Sequence, residues 1–261
     1  MREKRFNLRN LSLPLLDVDL MGGGRWVALV GDARDQLLAF NEKVIRLPRF
    51  VNSCLVRAVG TRALVVERRP RRGDTANAWI ISADGKVRGS FLVGEGVADG
   101  FVTGSYIVIA YHEDGYYSSF DVSHEGLAVF DLSGRYLYGY NSAIADHAGD
   151  VTDCYCACRI SLDGIAFLRE PVFHLVELDV SRRTQTVTPT PDAMHQALAL
   201  TELDGVYFVH CPHTASGAIF RFSKESREVS QVGAYSKELR GLGRGRFLAK
   251  DESGFTLISM G

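Results

Sequence analysis

Imidazole and carboxylate side chains are concentrated in a few polar stretches of this sequence. The chain has seven histidines, and most of them lie in or beside those stretches, together with several aspartates. The group consists of His112, His124, His147, His195 and His213, with Asp114, Asp121, Asp146, Asp150, Asp153 and Asp192. If the fold gathers them, they could hold a divalent metal ion that activates water. They could equally act as a general base pair in a hydrolase or lactonase-like enzyme.

Two adjacent tyrosines, Tyr116 and Tyr117, lie in the longest polar stretch, 112–126. Tyrosine is a favoured anchor at protein interfaces, so the same stretch also predicts a protein-recognition surface. A third interpretation is that histidines are simply common in polar loops. The predicted binding residues are His112, Asp114, Tyr116, Tyr117, His124, Asp146, His147, Asp150, His195 and His213, and no catalytic residue or metal ligand is assigned.

Short catalytic motifs do not favour the enzyme. The sequence has no His-Glu-x-x-His, no Gly-x-Ser-x-Gly and no glycine-rich phosphate loop. The segment 213–217, His-Thr-Ala-Ser-Gly, has a base and a nucleophile close together, but neighbours in sequence do not make a catalytic triad. We therefore predict no cofactor, and a divalent metal is required only by the hydrolase alternative.

Three cysteines alternate with other residues at Cys154, Cys156 and Cys158. On a strand this spacing predicts all three thiols on one face, with about 7 Å between successive ones. A flat strand would not close such a trio around one zinc ion, so we interpret them as small packing residues on an innermost strand. A soft-metal or redox role is the alternative.

Composition limits the classes of protein to consider. The 261 residues are 46% hydrophobic and 23% charged, with a formal net charge of -1, which is typical of a folded globular chain without a basic surface for nucleic acid. The basic run 68–72 is interpreted as a solvated loop. Residues 1–10 lack the apolar core of a signal peptide, no apolar run reaches the length of a membrane span, and the five cysteines are an odd number. These features predict a cytoplasmic protein with free thiols and no membrane partner.

Short strand-like segments recur along the chain and are separated by turns rich in Gly, Asp, Asn and Ser. Residues 63–67, 106–111, 165–168 and 206–209 are examples, and each follows a turn that carries glycine. Like landmarks repeat about every 40 residues, as in four-stranded propeller blades. The sequence accommodates six such units as a single domain over residues 1–261.

The last unit has three predicted strands, and the segment 4–8 precedes the first unit without a partner of its own. Pairing this segment with the last unit would close a ring and remove two exposed sheet edges. The repeat resembles the six-bladed β-propeller class, which includes NHL-like, lactonase-like and YWTD-like rings. The resemblance implies an all-β ring closed by its N-terminal strand, and it carries no residue signature of a particular family.

In such a ring, the loops between the second and third strands and those between blades emerge on one face, which includes the predicted binding residues. Loops on a rigid scaffold commonly carry function. We predict a binding module whose loop-rich face engages a protein partner, as an adaptor, inhibitor or immunity-type protein. The alternative is a metal-assisted hydrolase or lactonase-like enzyme at the channel mouth. Nucleic acid is an unlikely partner on charge, and the sequence does not indicate an oligomeric state.

Overall fold

Six four-stranded antiparallel sheets form the architecture of the computed structural model, which describes residues 1–8, 11, 13–32, 35–41, 43–47, 53–144, 150–154, 156–170, 172–214 and 216–261. Strand β1 (Arg2–Asn7) comes first and belongs to the last sheet. Blade 1 consists of β2 (Leu15–Leu20), β3 (Trp26–Gly31), β4 (Gln36–Phe40) and β5 (Lys43–Arg46). Blade 2 consists of β6 (Cys54–Val59), β7 (Arg62–Glu67), β8 (Ala78–Ser82) and β9 (Val87–Phe91).

The remaining blades follow the same order. Blade 3 consists of β10 (Val97–Thr103), β11 (Tyr106–Tyr111), β12 (Leu127–Asp131) and β13 (Tyr136–Gly139). Blade 4 consists of β14 (Ala157–Arg159), β15 (Gly164–Arg169), β16 (His174–Asp179) and β17 (Thr184–Thr188). Blade 5 consists of β18 (Ala199–Leu203), β19 (Val206–Cys211), β20 (Ala218–Ser223) and β21 (Val229–Ala234). Blade 6 consists of β22 (Arg240–Gly243), β23 (Arg246–Asp251) and β24 (Gly254–Ser259), completed by β1.

The first strands of the blades contact one another around a central axis, and the ring is therefore a propeller. Second strands such as β3 are buried on both faces because neighbouring blades cover them, whereas outer strands such as β5 and β21 are mostly exposed. Hydrophobic clusters fill the spaces between neighbouring blades; one, for example, packs Trp79 of blade 2 against Met21 and Leu38 of blade 1. Burial of this apolar surface drives the assembly of the ring.

The predicted closure is confirmed. Strand β1 pairs antiparallel with β24 along its whole length, with Arg2 opposite Ser259 and Asn7 opposite Gly254. The rings of Phe6 and Phe255 stack with centroids 4.6 Å apart. The edge that β24 would expose is thus hydrogen-bonded by the other end of the chain.

The connections divide between two faces. Tight turns join the first to the second strands and the third to the fourth, and we call this side the turn face. Several of these turns place glycine in the left-handed region, including Gly60 (φ 60°), Gly104 (φ 54°) and Gly205 (φ 79°), which explains why glycine recurs there. The longer connections emerge on the opposite side, which we call the loop face.

The prediction that Cys154, Cys156 and Cys158 share one face is wrong. Cys154 belongs to the core between blades 3 and 4, whereas Cys156 and Cys158 belong to the core between blades 4 and 5. Regular pairing covers only β14, so the alternation of sides is lost before Cys156. All three thiols are buried, which agrees with a packing role, and none of the chain's five cysteines forms a disulfide.

Charged side chains of the inner strands meet at the axis. The buried guanidinium of Arg57 donates from Nη1 to Asp17 Oδ2 (2.7 Å) and from Nε to Asp99 Oδ1 (2.9 Å). Arg240 donates to Asp19 Oδ1 (3.0 Å). We call these five residues the axial ion network. Arg57 and Arg240 separate a cavity of about 490 Å³ on the loop-face side from one of about 390 Å³ on the turn-face side.

Burial by itself would raise the pKa of Asp17, but Arg57, followed by Arg240, outweighs it and lowers the pKa to about 2. Burial likewise opposes the charge on Arg57, yet Asp99 and Asp17 raise the pKa of its guanidinium. Asp17 and Arg57 are therefore both charged at neutral pH. In the part of the chain that the structure describes, no helix is long and apolar enough to span a bilayer.

Candidate functional site

The connection between β11 and β12 spans residues 112–126 of blade 3. It contains the short helix α1 (Glu113–Tyr116) and a 3-10 turn over Asp121–Glu125. His112 N donates to Gly96 O (2.7 Å), and Glu95 N donates to the buried Ser123 Oγ (2.9 Å). A Cβ on Gly96 would lie 2.2 Å from Gly115 N, so glycine is required where these two backbones touch. The connection is therefore fixed to the 92–96 segment beside it.

A second connection, from blade 3 to blade 4, packs against the first. It begins with the short helix α2 (Tyr140–Ala143). The Asn141 side chain donates to His124 O (2.8 Å) and to Val151 O (3.0 Å), and it accepts from Val151 N (2.8 Å). Ser142 N donates to Glu125 Oε2 (2.8 Å). These bonds hold the two connections in one arrangement, which limits the conformational entropy that a partner would have to remove.

The two tyrosines lie on this surface. Tyr116 donates its hydroxyl proton to Asp150 Oδ2 (2.8 Å), and its ring lies edge-on to Tyr117 with centroids 5.1 Å apart. The hydrogen bond to Asp150 raises the pKa of Tyr116 because it stabilises the neutral phenol. Tyr117 is 71% exposed. His124 lies beside them, with its ring centroid 6.4 Å from that of Tyr116 and its Nε2 2.8 Å from Ser118 O.

An exposed ion pair borders the tyrosines. Arg69 Nη2 lies 2.7 Å from Asp114 Oδ2, and each side chain is 68% exposed. Exposed pairs of this kind contribute little to stability, so both groups remain available to a partner. We call the surface formed by Arg69, Asp114, Tyr116, Tyr117, His124 and Asp150 the blade 3 patch.

His112 lies at the inner edge of this surface. Its Nδ1 is 3.5 Å from Asp153 Oδ1, a buried atom to which the described residues supply no hydrogen bond. The histidine side chain is half-exposed, while that of Asp153 is mostly buried. An imidazole beside a carboxylate is a pair that could exchange protons, but the crevice next to Asp153 is only about 10 Å³ and does not admit a substrate.

The other predicted residues lie elsewhere on the loop face or outside the described residues. His195 stacks on Phe173 at 5.0 Å and is 3.9 Å from Asp192. His213 is exposed in the β19–β20 connection of blade 5. Asp146 and His147 lie outside the described residues. The structure thus brings together His112, Asp114, Tyr116, Tyr117, His124 and Asp150, all from the two blade 3 connections.

The described residues of this surface supply no ready ligand set for a metal ion. No group of three or more His, Cys, Asp or Glu side chains has an arrangement that would hold a metal ion, within the part of the chain that the structure covers. The hydrolase alternative needs such a set or a catalytic dyad above a substrate-sized pocket. The blade 3 patch instead carries charges of both signs and an exposed aromatic side chain.

Sequence reasoning missed Arg69 as part of this surface. Arg69 belongs to the basic run 68–72, and the exposed positions of Arg69, Arg71 and Arg72 agree with its interpretation as a solvated loop. Arg68 differs, since it is half-buried and donates to Ala98 O (2.8 Å) at the axis. The signal that could have identified Arg69 is its place on the loop face, in the blade next to the tyrosines.

Comparison with known proteins shows similarity at the level of fold. No protein-family model and no curated protein sequence matches the chain. The chain is similar to PorZ of Porphyromonas gingivalis (12% identity, TM-score 0.61), covering 95% of its own length but 32% of PorZ. It is similar to virginiamycin B lyase from Staphylococcus aureus (12% identity, TM-score 0.54), and this match covers 98% of each of the two chains. The chain is also similar to YCF48, solved bound to a D1 peptide (9% identity, TM-score 0.56), and the match covers 93% of this chain and 76% of YCF48. The chain is a six-bladed β-propeller closed by its N-terminal strand.

Proposed function

We propose that this protein is a binding module that engages a protein partner through the blade 3 patch. The observation that carries the proposal is Tyr117, a large side chain exposed to 71% on two connections held by hydrogen bonds. Tyr116 supports it from one side and is itself fixed by Asp150. A rigid, exposed aromatic anchor loses little entropy when a partner covers it.

The surroundings of Tyr117 fit the rim of a protein interface. Arg69 and Asp114 offer charges of both signs next to the aromatic centre, and arginine is enriched at such sites. Charges at a rim direct the orientation of a partner more than they add affinity. YCF48, a propeller of similar fold, was solved with a bound peptide, which supports the use of this scaffold for protein recognition.

The biological setting follows from the same proposal. None of the five cysteines forms a disulfide, and four of them are deeply buried, so we propose a reducing compartment, the cytoplasm. There it would act as an adaptor that scaffolds its partner, or as an inhibitor or immunity-type protein that blocks it. The activity of the captured partner, measured with and without this protein, distinguishes the two.

Affinity capture followed by a binding titration tests the proposal. The partner is captured from a lysate of the source organism, identified, purified and titrated against the wild type and the Tyr116→Ala, Tyr117→Ala double variant. Loss of a two-tyrosine anchor costs about 2 kcal/mol or more, which is roughly a thirtyfold weaker affinity. The matched control is Leu162→Ala, which removes a side chain of similar exposure (73%) from the turn face.

Equal affinities of the double variant and the wild type would refute the patch as the binding site. A weakening in Leu162→Ala as large as that in the double variant would also refute it. The hydrolase alternative is tested separately by the metal content of the purified protein and by its dependence on Asp150, since a stoichiometric metal lost in Asp150→Ala would support that alternative.

A further inference from the structure

A cleft of about 390 Å³ opens on the turn face, on the opposite side of the ring from the blade 3 patch. It begins at the axis, where the inner strands end, and runs outward between blades 1 and 6. Its inner part is lined by Arg159 at the end of β14, by Arg246 at the start of β23, and by Arg244 in the turn between β22 and β23. We call this feature the turn-face cleft. Its volume lies in the range of small-molecule sites.

The charge of the turn-face cleft is not neutralised by its own side chains. Among the described residues, no carboxylate lies within ion-pair distance of Arg159, Arg244 or Arg246; Arg159 donates only to Val102 O (3.1 Å). Asp19 also lines the cleft, but it is paired with Arg240. The whole protein has a net charge of -1, so this excess of cations is local.

Two guanidinium nitrogens of arginines that line the cleft receive no acceptor from the described residues. The Nε atoms of Arg240 and Arg246 are buried, and the described residues supply no hydrogen bond to either of them. Burial lowers the pKa of Arg246, and the neighbouring charges of Arg244 and Arg159 lower it further. A buried charged donor without a partner is costly, so an anion that accepts from these groups would be stabilised by them.

The outer part of the cleft has a different character. Phe6, Leu20 and Leu257 contribute partly buried apolar side chains there. Gly22, Gly23 and Gly24 form a lip without side chains, and a Cβ on any of them would meet nothing within 4 Å. The cleft therefore offers cations at its inner end, an apolar wall further out, and an open entrance.

We infer that the turn-face cleft binds a small phosphorylated organic molecule. Its phosphate head lies on Arg159, Arg244 and Arg246, and its ring or alkyl body lies against Phe6 and Leu257. Arginine suits this role because the planar donor fork of its guanidinium matches phosphate oxygens in pairs. The inference does not depend on the proposed function, since the blade 3 patch lies on the opposite face.

Calorimetric titration of the full chain at low ionic strength tests this inference, with inorganic pyrophosphate as the probe for the head and ADP as the probe for head and body. We expect one site per chain, tighter binding of ADP than of pyrophosphate, and weaker binding as NaCl is added. Arg246→Gln should weaken both probes roughly tenfold, the loss expected for a charge-assisted hydrogen bond.

A matched variant and a second cleft variant make the result decisive. Arg62→Gln removes the same charge from an exposed position at the start of β7 on the same face, and it should change affinity by less than about twofold. Arg159→Gln should weaken the binding of both probes as much as Arg246→Gln does. If circular dichroism shows that Arg246→Gln does not fold, the result for Arg159→Gln decides the test. Absence of pyrophosphate binding at millimolar concentration would overturn the inference, as would an equal loss in Arg62→Gln.

Discussion

Replacing Arg57 by methionine removes the cation at the centre of the axial ion network while keeping a long side chain on β6. Arg57 is 2% exposed and binds Asp17 and Asp99, so the variant leaves two carboxylates without their cation in a site shielded from water. Removing one partner of a buried ion pair costs about 3–5 kcal/mol. We expect Arg57→Met to lose at least that much free energy of unfolding, which lowers the melting temperature by roughly 10 °C in a domain of this size.

The remaining charges, rather than lost packing, should account for most of this loss. Asp17→Asn and Asp99→Asn, added to Arg57→Met, remove the uncompensated carboxylates and leave groups of similar shape. Because a buried ionic group and a well-packed neutral replacement are often close in stability, the triple variant should recover more than about half of the loss. Arg62→Met, at an exposed position of the next strand, is the control and should change stability by less than about 0.5 kcal/mol.

Urea unfolding followed by the fluorescence of Trp26 and Trp79 measures these differences. Trp26 lies in blade 1 and Trp79 in blade 2, so their fluorescence reports on loss of the ring at these two blades. Wild-type stability in Arg57→Met would show that the network does not stabilise the ring. A triple variant less stable than Arg57→Met would show that the loss arises from packing, and the electrostatic argument would be wrong.

Three further predictions follow from the same structure. Folding lowers the pKa of Asp17 from 3.8 to about 2, so its ionisation contributes about 2 kcal/mol to the free energy of unfolding above pH 4, and this contribution is lost as the pH falls towards 2. Unfolding titrations between pH 5 and pH 2 should show this decline in stability, and the decline should be smaller in Asp17→Asn. Phe6→Ala should lower the free energy of unfolding by about 2 kcal/mol, because it removes a half-buried ring that stacks on Phe255. Lys4→Ala, on the same strand, is the control, and urea unfolding should show less than half of that loss. Burial raises the pKa of the Cys154, Cys156 and Cys158 thiols and so suppresses their reactivity. In the native protein at pH 8, a disulfide reagent should therefore modify at most the half-buried Cys54, whereas after denaturation it should modify all five cysteines. Rapid labelling of Cys156 in the native state would contradict the packing of these thiols.

Much of the fold was predictable because it depends on local patterns. Alternating apolar segments and glycine turns mark each strand pair, and the repeat of about 40 residues sets the number of blades. Closure followed from counting strands, since the last unit lacked one and segment 4–8 had no partner. The structure places that segment in β1 (Arg2–Asn7), paired with β24.

The axial ion network could not be read from a single strand. In β6, Arg57 is surrounded by apolar residues, and this pattern predicts that its side chain faces solvent from an amphipathic strand. Its partners Asp17 and Asp99 are 40 and 42 residues away and become neighbours only after the ring closes. A comparison between repeats holds the missing signal, because the inner strand of each of the six blades carries at least one charged residue.

The candidate site was predictable in part for a similar reason. The stretch 112–126 and Asp150 were identified by their residue types, but the bond between Tyr116 and Asp150 depends on how two separate connections fold over one another. The prediction that the three cysteines share one face was wrong because it assumed a regular strand from Cys154 onward, whereas strand pairing in blade 4 begins only at Ala157. Patterns of period two have meaning only where hydrogen-bonded pairing continues.

The arrangement of charge along the axis bears on whether the two proposed sites are coupled. Arg57 and Arg240, held by Asp17, Asp99 and Asp19, separate the loop-face cavity from the turn-face cleft. The axial ion network and the blades themselves would therefore lie between an anion bound at Arg246 and the blade 3 patch. Since coupling between sites requires an element with two arrangements that both ligands bias, a network in which each charge faces an opposite charge favours independent binding. Capture of the protein partner should then be unchanged by saturating ADP, and a change greater than about threefold would show that the axis transmits binding rather than isolating it.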